Sequence, residues 1–370
     1  MNVAKQPIDY VLLSLVLGVV VFGLFVLASA SSAVAFERFG DAYWFIRHQL
    51  LFGVLPGAVV LWICSRIPYV VWKRMSKILL FVSIGLLILV FIPGIGAEFG
   101  TARSWVAIPG LGFTFQPTEI VKLTFLIYLA AWFENRRLKD VRDVKAGLIP
   151  FLTSLGMIAI LIMLQPDLGT MMVIAVVALA VYFTAGAPFA HLSLLGGLGA
   201  VLLFFLIRFA PYRAARFTTF LHPELDPQGI GYHINQALLA VGSGGLFGLG
   251  FGQSRQKFQY LPEVTSDSIF AIIAEELGFF VSGALVCFFA GLAYRLSVLA
   301  SRARDPFGQY VIVGVLVWIS FQAFMNIAAM LGLMPITGIP LPFVSYGGTS
   351  MVVLMAAVGI VLNISRSRLA

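Results

Sequence analysis

The chain has 370 residues, of which 60% are hydrophobic and only 11% are charged, and its formal net charge is +8. Soluble globular proteins carry roughly 25% charged residues and about 45–50% apolar residues, so this composition excludes an ordinary soluble protein, and the shortage of charge also excludes a disordered one. Long apolar runs recur along the whole chain, which predicts an all-α polytopic membrane protein that forms a single domain, residues 1–370.

About ten apolar segments are long enough to cross a hydrocarbon core of about 30 Å, which requires roughly 17–25 helical residues. In chain order they are 10–30, 44–64, 76–93, 117–134, 146–164, 169–186, 190–209, 267–294, 308–332 and 348–365. Ala33–Ala35 has the small residues of a signal-peptide cleavage site, but the apolar run before it is long and further spans follow, so we expect a retained first helix. We expect no strands, because helices satisfy the backbone within lipid most simply.

The Lys and Arg residues are distributed asymmetrically among the predicted loops. If the N-terminus is cytoplasmic, most of the 24 Lys and Arg residues lie in inner loops or at the two ends of the chain. The positive-inside rule therefore predicts that both termini are cytoplasmic, and it attributes the net positive charge to anchoring rather than to nucleic-acid binding. The long segment at about 210–266, between the seventh and eighth spans, is predicted to be a large outer loop.

This large outer loop combines cations with the glycine-rich run 242–252. Its candidate phosphate-binding cations are Arg213, Arg216, Arg255 and Lys257. Arginine forks match phosphate oxygens, and glycines let backbone amides approach a phosphate closely. The alternative is a solvated loop in which the glycines only make turns, and the spacing favours it, because the run matches neither the Rossmann nor the P-loop pattern.

Asp267 stands at the outer end of the eighth predicted span, beside Ser266. One interpretation is a helix N-cap, in which either side chain accepts hydrogen bonds from free backbone N–H groups. The other is a carboxylate that faces a dry cavity, where desolvation raises its pKa towards that of a working general base.

Four ionisable residues lie deeper in the predicted spans. Glu119 and Lys122 are three residues apart, so they share a helix face and can pair. Glu275 and Glu276 lie about 12–14 Å below Asp267 by helical rise. Charges at such depth are candidates for a functional site. The alternative is a structural ion network between Lys122 and one of the glutamates.

Other polar residues, and one apolar stretch, have predicted structural roles. Asp167, in the tight turn before the sixth span, is predicted to cap that helix, and Gln322 and Asn326 are predicted to bond between helices. The stretch Pro335–Tyr346 is unusually apolar for an outer loop, so we expect it to lie against the membrane or to dip into it. We find neither a zinc-type ligand spacing nor a nucleotide motif, so we predict no metal site, no cofactor and no ATP-driven pump, and we leave a divalent-cation requirement open.

Several stretches of the sequence resemble the SEDS family (shape, elongation, division and sporulation), whose members include RodA and FtsW. They are Arg103–Trp105, Phe115–Lys122, Gln165–Thr170, Asp226–His233, Gly242–Gly245, Leu261–Glu263, Asp267–Gly278 and Leu341–Gly348. The number of spans and the large outer loop before the eighth span also resemble this family. One departure is Ser266-Asp267-Ser268, where many members have Thr-Asp-Phe.

The resemblance implies a peptidoglycan glycosyltransferase that polymerises lipid II at the outer face of the bacterial cytoplasmic membrane. Its implied partners are lipid II, a class B penicillin-binding protein and membrane lipids. Asp267 corresponds to the essential aspartate of the family, and we hypothesise that it is the base for the acceptor hydroxyl. We hypothesise that four deep residues support the cavity, namely Glu119, Lys122, Glu275 and Glu276. We hypothesise that four cations bind pyrophosphate, namely Arg213, Arg216, Arg255 and Lys257.

Two alternatives accompany this interpretation. The deep charges could line the path of a lipid II flippase, and the chain could be a scaffold that only activates its penicillin-binding partner. Within the family, the short N-terminus and the stretch Gly338–Pro342 favour a RodA-like (elongation) protein slightly over an FtsW-like (division) one.

Overall fold

The computed structural model describes residues 7–94, 96–99, 102–108, 113–209, 211–222, 226 and 229–367. Most of them are helical. The described helices are α1 (Tyr10–Phe39), α2 (Trp44–Gln49), α3 (Leu55–Arg66), α4 (Tyr69–Leu89), α5 (Pro117–Glu134), α6 (Leu138–Arg142), α7 (Ile149–Met163), α8 (Leu168–Thr184), α9 (Phe189–Phe209), α10 (Pro211–Leu221), α11 (Ile230–Ser243), α12 (Ile269–Ser301), α13 (Pro306–Met330) and α14 (Gly348–Ser365). A π-helical turn, Leu50–Val54, joins α2 to α3, and a second one, Val144–Leu148, precedes α7.

Local signals in the sequence set several helix ends. Asp9 caps α1 by accepting a hydrogen bond from the Leu12 amide, and Asp305 caps α13 in the same way. The helix α1 continues to Phe39, well past the predicted end at residue 30, and ends where Gly40 adopts the left-handed conformation with φ 68°. Its last turns therefore extend beyond the predicted apolar span.

Every one of the ten predicted segments coincides with a helix, but their number as membrane spans is confirmed only in part. Within the described residues, 7 helices are long and apolar enough to cross a membrane. Of the remaining three predicted spans, α4 and α5 each carry three charged residues, and α8 has 17 residues. The full count of ten spans, the extent of the large outer loop and the cytoplasmic termini stay predictions.

The prediction of a chain without strands is wrong between α4 and α5. There, β1 (Gly96–Phe99), β2 (Ala102–Ile108) and β3 (Phe113–Phe115) form an antiparallel sheet in the order β1-β2-β3. Val106 pairs with Gly96 on one side and with Phe115 on the other. Because this segment lies between two predicted spans, its backbone groups do not have to be satisfied within one helix, and neighbouring strands bond to each other instead.

The centre of the bundle consists of α13 and α14, which are mostly buried, whereas α9 is mostly exposed. The helix α14 packs on α3, and α13 packs on α8, α5 and α12. Trp318 of α13 is among the largest fully buried side chains. The helix α9, with exposed residues such as Phe204 and Phe205, presents an apolar surface of the kind that faces lipid.

The helix α12 is interrupted at Gly278, which has φ 77° and ψ −175°. The glycine-rich loop, residues 244–257, docks on this interruption: the Leu249 amide donates to the Glu275 carbonyl at 2.9 Å, and the Phe279 amide donates to the Gly245 carbonyl at 2.9 Å. A Cβ atom on Gly244 would collide with the carbonyl oxygen of Ala274. The glycines therefore allow two backbone segments to approach closely. This favours a structural role for the glycine-rich run over a role in phosphate binding.

Candidate active site

A cavity of about 450 Å³ lies between α5, α8, α10 and the segment 334–340. Its lining is mainly apolar and includes Leu203 and Ile207 of the lipid-exposed helix α9. Several polar or charged residues converge on it, among them Gln116, Glu119, Lys122, Asp167, Arg216 and Ser266. A concave, mostly apolar site with a few convergent polar groups is typical of a small-molecule or substrate site. We call it the main cavity.

At the floor of the main cavity, Glu119 and Lys122 form a buried ion pair, with 2.7 Å between Oε1 and Nζ. The predicted pairing across one helical turn is confirmed. Lys122 Nζ also donates to Gln322 Oε1 at 3.0 Å and lies 5.1 Å from the ring centre of Trp318. A carboxylate, an amide oxygen and an aromatic face together compensate the desolvation of the buried ammonium group.

One carboxylate oxygen of this ion pair has no hydrogen-bond partner among the described residues. Glu119 Oε2 is buried, and no described residue gives it a hydrogen bond. A buried carboxylate oxygen without a partner is costly, so it is a natural acceptor for a donor group on a bound ligand.

Asp167 joins the same polar cluster. Its Oδ1 accepts a hydrogen bond from the Thr170 amide at 3.0 Å, so the predicted cap of the sixth span is confirmed. Its Oδ2 accepts a hydrogen bond from Gln116 Nε2 at 3.4 Å. Burial raises the pKa of Asp167, and the nearby Lys122 opposes the rise. Asp167 and Gln116 were not predicted as cavity residues. Asp167 was explained by its role as a helix cap, and Gln116 directly precedes the first residue of α5.

Asp267 lies directly behind the wall of the main cavity. Ser266 and Gly338 line that wall, and Asp267 Oδ2 is 3.9 Å from the position of a Cβ atom on Gly338. The interpretation as a helix cap is wrong, because the N-cap of α12 is Ser268 and no side chain makes a capping bond there. The carboxyl group is therefore available for chemistry.

The environment of Asp267 changes its acidity. The residue is 8% exposed, and burial, assisted by the charge of Glu263, raises the pKa of its carboxyl group from 3.8 to about 7. Ser266 Oγ donates to Oδ1 at 3.3 Å and opposes the rise, as does the positive charge of Arg216. A general base is most effective when its pKa lies near the working pH.

The backbone around Asp267 is fixed by the segment Pro335–Tyr346. Asn326 Nδ2 donates to the carbonyl groups of Asp267 and Ile339, each at 2.8 Å. The Tyr346 amide donates to the Thr265 carbonyl at 2.8 Å. Asn326 therefore ties a helix to two loops, rather than to a second helix as predicted.

The same segment is buried. Leu341, Phe343 and Val344 are each at most 2% exposed. The apolar stretch thus packs within the protein and helps to line the main cavity, while its position against or within the membrane stays a prediction. Its apolar composition reflects a core position, which composition alone does not separate from contact with lipid.

Of the four cations predicted to bind pyrophosphate, the structure places Arg216 in the main cavity. Arg216 Nη1 donates to the Ile336 carbonyl at 3.5 Å, and among the described residues the other guanidinium N–H groups have no recorded acceptor. Arg213 belongs to α10, but its side chain lies outside the described residues. Arg255 is exposed and is not part of the cavity wall.

Lys257, Glu275 and Glu276 form a separate cluster, which corrects three predicted roles. Lys257 Nζ is buried 3.0 Å from Glu276 Oε1 and also bonds to Ser29 Oγ at 3.1 Å. Glu275 accepts a hydrogen bond from the Arg255 amide at 3.0 Å. These side chains hold the glycine-rich loop against α12 and do not line the main cavity. Lys257 already has a buried counter-ion, so it is not placed to bind pyrophosphate.

His233 of α11 lies beside Ser268, the residue that follows Asp267, and no role was predicted for it. Its Nε2 lies 2.7 Å from Ser268 Oγ. Burial, with a contribution from Arg216, lowers the pKa of His233 to about 4, so the ring is neutral at ordinary pH. A phenylalanine at position 268 could not make this bond. Within the described residues, no group of three or more His, Cys, Asp and Glu side chains could hold a metal ion.

Comparisons with known proteins agree with this arrangement. The profile of the family described as Cell cycle protein, FTSW_RODA_SPOVE, matches residues 10–369. Stage V sporulation protein E of Bacillus subtilis (strain 168) is 40% identical over 366 residues, which cover 99% of this chain and 99% of that protein. A protein of Trichlorobacter lovleyi named Probable peptidoglycan glycosyltransferase FtsW is 38% identical over 96% of this chain and 93% of its own length.

Solved structures have the same fold. A chain from a structure described as structural coordination of polymerization and crosslinking by a peptidoglycan synthase complex matches with a TM-score of 0.80 and 27% identity, over 97% of this chain and 98% of that one. The rod shape determining protein RodA of Thermus thermophilus matches with a TM-score of 0.71 and 28% identity, over 98% of this chain and 97% of that one. The chain therefore belongs to the SEDS family, which includes FtsW, RodA and SpoVE, and is a multi-pass protein of the bacterial cytoplasmic membrane.

Proposed function

We propose that this protein is a peptidoglycan glycosyltransferase that polymerises lipid II into glycan strands at the outer face of the membrane. The observation that carries the proposal is the Asp267 carboxyl group, buried behind the wall of a cavity that also contains Arg216. Relatives named as FtsW peptidoglycan glycosyltransferases, and a structural neighbour from a peptidoglycan synthase complex, support a role in cell-wall synthesis.

In the proposed reaction, Asp267 accepts the proton of the 4-hydroxyl group of the acceptor GlcNAc. The acceptor oxygen then forms a bond to the donor sugar while the bond between that sugar and its pyrophosphate breaks. Negative charge develops on the departing pyrophosphate, and Arg216, which lines the main cavity, is proposed to stabilise it. Arg213, three residues earlier on the same helix face by i,i+3 spacing, is proposed to assist.

The Glu119–Lys122 pair is proposed to position the substrate. Lys122 Nζ is bound to both Glu119 and Gln322, so the pair is held rigidly. Glu119 Oε2 can accept a hydrogen bond from a sugar hydroxyl or amide group. The prenyl chains of the two substrates would leave the main cavity past Leu203 and Ile207, towards the lipid-exposed face of α9.

A lipid II flippase is the competing function. It would use deep charges as a path through the membrane. The two deep ion pairs, Lys122 with Glu119 and Lys257 with Glu276, are both closed and buried, and they lie in separate clusters. This arrangement supports a one-sided enzyme site over a continuous polar path.

The partner and the subtype are also proposals. A class B penicillin-binding protein is supported by the structural neighbour, which comes from a complex that couples polymerization to crosslinking. The relatives at 40% and 38% identity are named SpoVE and FtsW, whereas the Thermus RodA shares 28%. These identities support the FtsW and SpoVE branch, in contrast to the RodA-like preference from the short N-terminus and Gly338–Pro342.

The test is to incubate the purified protein with lipid II in detergent and to separate the products by gel electrophoresis. An enzyme makes glycan chains there, whereas a flippase has no compartment to cross and leaves lipid II unchanged. Glycan chains of increasing length are expected, and their absence under conditions in which the protein is folded would reject the polymerase.

A further inference from the structure

Ser266 stands between two carboxyl groups that differ in exposure. Its Oγ lies 2.9 Å from Glu263 Oε2 and 3.3 Å from Asp267 Oδ1. Asp267 is buried, whereas Glu263 is exposed. A hydroxyl group can accept a proton from one side and donate its own to the other, so this arrangement has the order that a proton relay requires.

Two members of this chain of hydrogen bonds line different cavities. Ser266 lines the main cavity, while Glu263 lines a second cavity of about 570 Å³. We call the second one the outer groove, and its other charged or polar residues are Glu37, Arg38, Gln259 and Thr265. The segment 263–266 is therefore a partition between the two.

The partition is held rigidly. The Glu263 carbonyl accepts hydrogen bonds from the Ser266 amide at 3.1 Å and from the Ser268 amide at 3.2 Å. Glu263 itself has a positive φ of 52°, an unfavourable backbone conformation for a residue with a side chain. Such strain persists only where surrounding contacts impose it, and it occurs often at functional sites.

We propose that Ser266 and Glu263 form a relay that carries the catalytic proton from Asp267 to solvent in the outer groove. This inference rests on the proposed glycosyltransferase function. The Asp267 O–H bond breaks as its proton passes to Ser266 Oγ, and the Ser266 O–H bond breaks as its own proton passes to Glu263 Oε2. Glu263 then releases that proton to water, so each turnover moves one proton and no electrons.

Turnover creates the need for such a route. Each transfer leaves one proton on Asp267, which must lose it before the next acceptor arrives. A saccharide in the main cavity covers the cavity side of Asp267, which is only 8% exposed even without it. The route from Asp267 through Ser266 to Glu263 reaches the outer groove in two hydrogen bonds.

Charged side chains surround both ends of the proposed route. Glu37 and Arg38 of α1 line the outer groove together with Glu263. On the side of the main cavity, Arg216 of α10 favours an ionised Asp267, and His233 of α11 is neutral.

The test uses the full-length protein in detergent with lipid II and compares Ser266→Ala, Ser266→Thr and the control Ser243→Ala. Ser243 bonds only to its own helix, at the Ala240 carbonyl, and is remote from the partition in sequence. Ser266→Ala is expected to lower kcat by about 10- to 100-fold, with KM nearly unchanged. The upper figure corresponds to the smallest effect typical of a positioned proton-transfer group, about 100-fold. Ser266→Thr keeps the hydroxyl group and is expected to restore kcat.

A second readout separates proton transfer from structural damage. At constant pH, a rising concentration of imidazole buffer should accelerate Ser266→Ala and Glu263→Gln, because a small buffer molecule can remove the proton in place of the relay. Wild type and Ser243→Ala should not respond. Glu263 is exposed, so Glu263→Gln keeps the test valid even if Ser266→Ala fails to fold.

Two results would overturn the relay while the polymerase remains. One is wild-type kcat in both Ser266→Ala and Glu263→Gln. The other is a loss of kcat that neither Ser266→Thr nor buffer restores. A wild-type protein that forms no glycan from lipid II would instead remove the proposed function, and the relay with it.

Discussion

At the scale of single residues, the properties of Asp267 come from its neighbours. Burial and Glu263 raise its pKa, while Ser266 and Arg216 limit the rise. A charged residue at the mouth of an apolar run could be found from the sequence, and so could the pairing of Glu119 with Lys122. The pKa could not, because it depends on side chains that the fold brings together.

Glu275 and Glu276 also show that contacts between distant segments are not predictable from the sequence. Spacing along a helix gives the depth of Glu275 and Glu276, but not which loop folds back onto them. That loop, with Lys257, occupies both carboxylates before any substrate could.

The pKa of Asp267 predicts the pH dependence of polymerisation. The carboxyl group is protonated below about pH 7 and becomes a base above it, so kcat/KM should rise with pH and level off beyond about 7. Glu263→Gln removes a negative charge that raises this pKa, so the rise should move to lower pH. Initial rates measured across pH check both statements.

The matched control is Glu37→Gln, which removes a carboxylate from the same outer groove but is not among the groups that shift the pKa of Asp267. Its profile should resemble that of the wild type. An unchanged profile in Glu263→Gln would mean that Glu263 does not act on the base.

At the scale of elements, apolar runs and caps predicted the positions of the helices, because both signals are local. The sheet β1-β2-β3 and the interruption of α12 at Gly278 were not predictable in this way. Both depend on backbone pairing between separate segments, and the glycine-rich run alone is compatible with turns, phosphate binding or close packing.

Two neighbouring glycines test the docking of the glycine-rich loop. Gly244→Ala should destabilise the protein by about 1–3 kcal/mol, the range for overpacking, because its Cβ atom would collide with the Ala274 carbonyl. Gly242→Ala is the control, since no atom lies within 4 Å of its Cβ position. Thermal unfolding in detergent compares them, and equal stability of the two variants would contradict the close packing.

The buried pair of Lys257 and Glu276 predicts a second effect on stability. Lys257→Met leaves the Glu276 carboxylate buried without its counter-ion, which should cost about 3–5 kcal/mol. The double variant Lys257→Met with Glu276→Gln should recover much of the loss, because it removes both charges. Unfolding measurements on the single and double variants check this, and a single variant as stable as wild type would show that the pair has no structural role.

At the scale of the whole molecule, the site lies at one end of a buried centre formed by α13 and α14. Asp267 lies behind one wall of the main cavity, and the exposed helix α9 borders another side. In the proposed function, a lipid-linked sugar would enter past α9 without leaving the membrane. Composition predicted the membrane class, and motif resemblance predicted the family. The closed ion pairs and the buried segment Pro335–Tyr346 needed the three-dimensional structure.

The most direct measurement is the rate of glycan formation from lipid II by Asp267→Asn, with Asp41→Asn as a control that changes an outer-loop aspartate paired with Arg47. Asparagine keeps the size of the side chain and removes its basicity, so Asp267→Asn should fold, bind lipid II and form no glycan, while Asp41→Asn polymerises like wild type. Glycan formation by folded Asp267→Asn at the wild-type rate would contradict the assignment of Asp267 as the base.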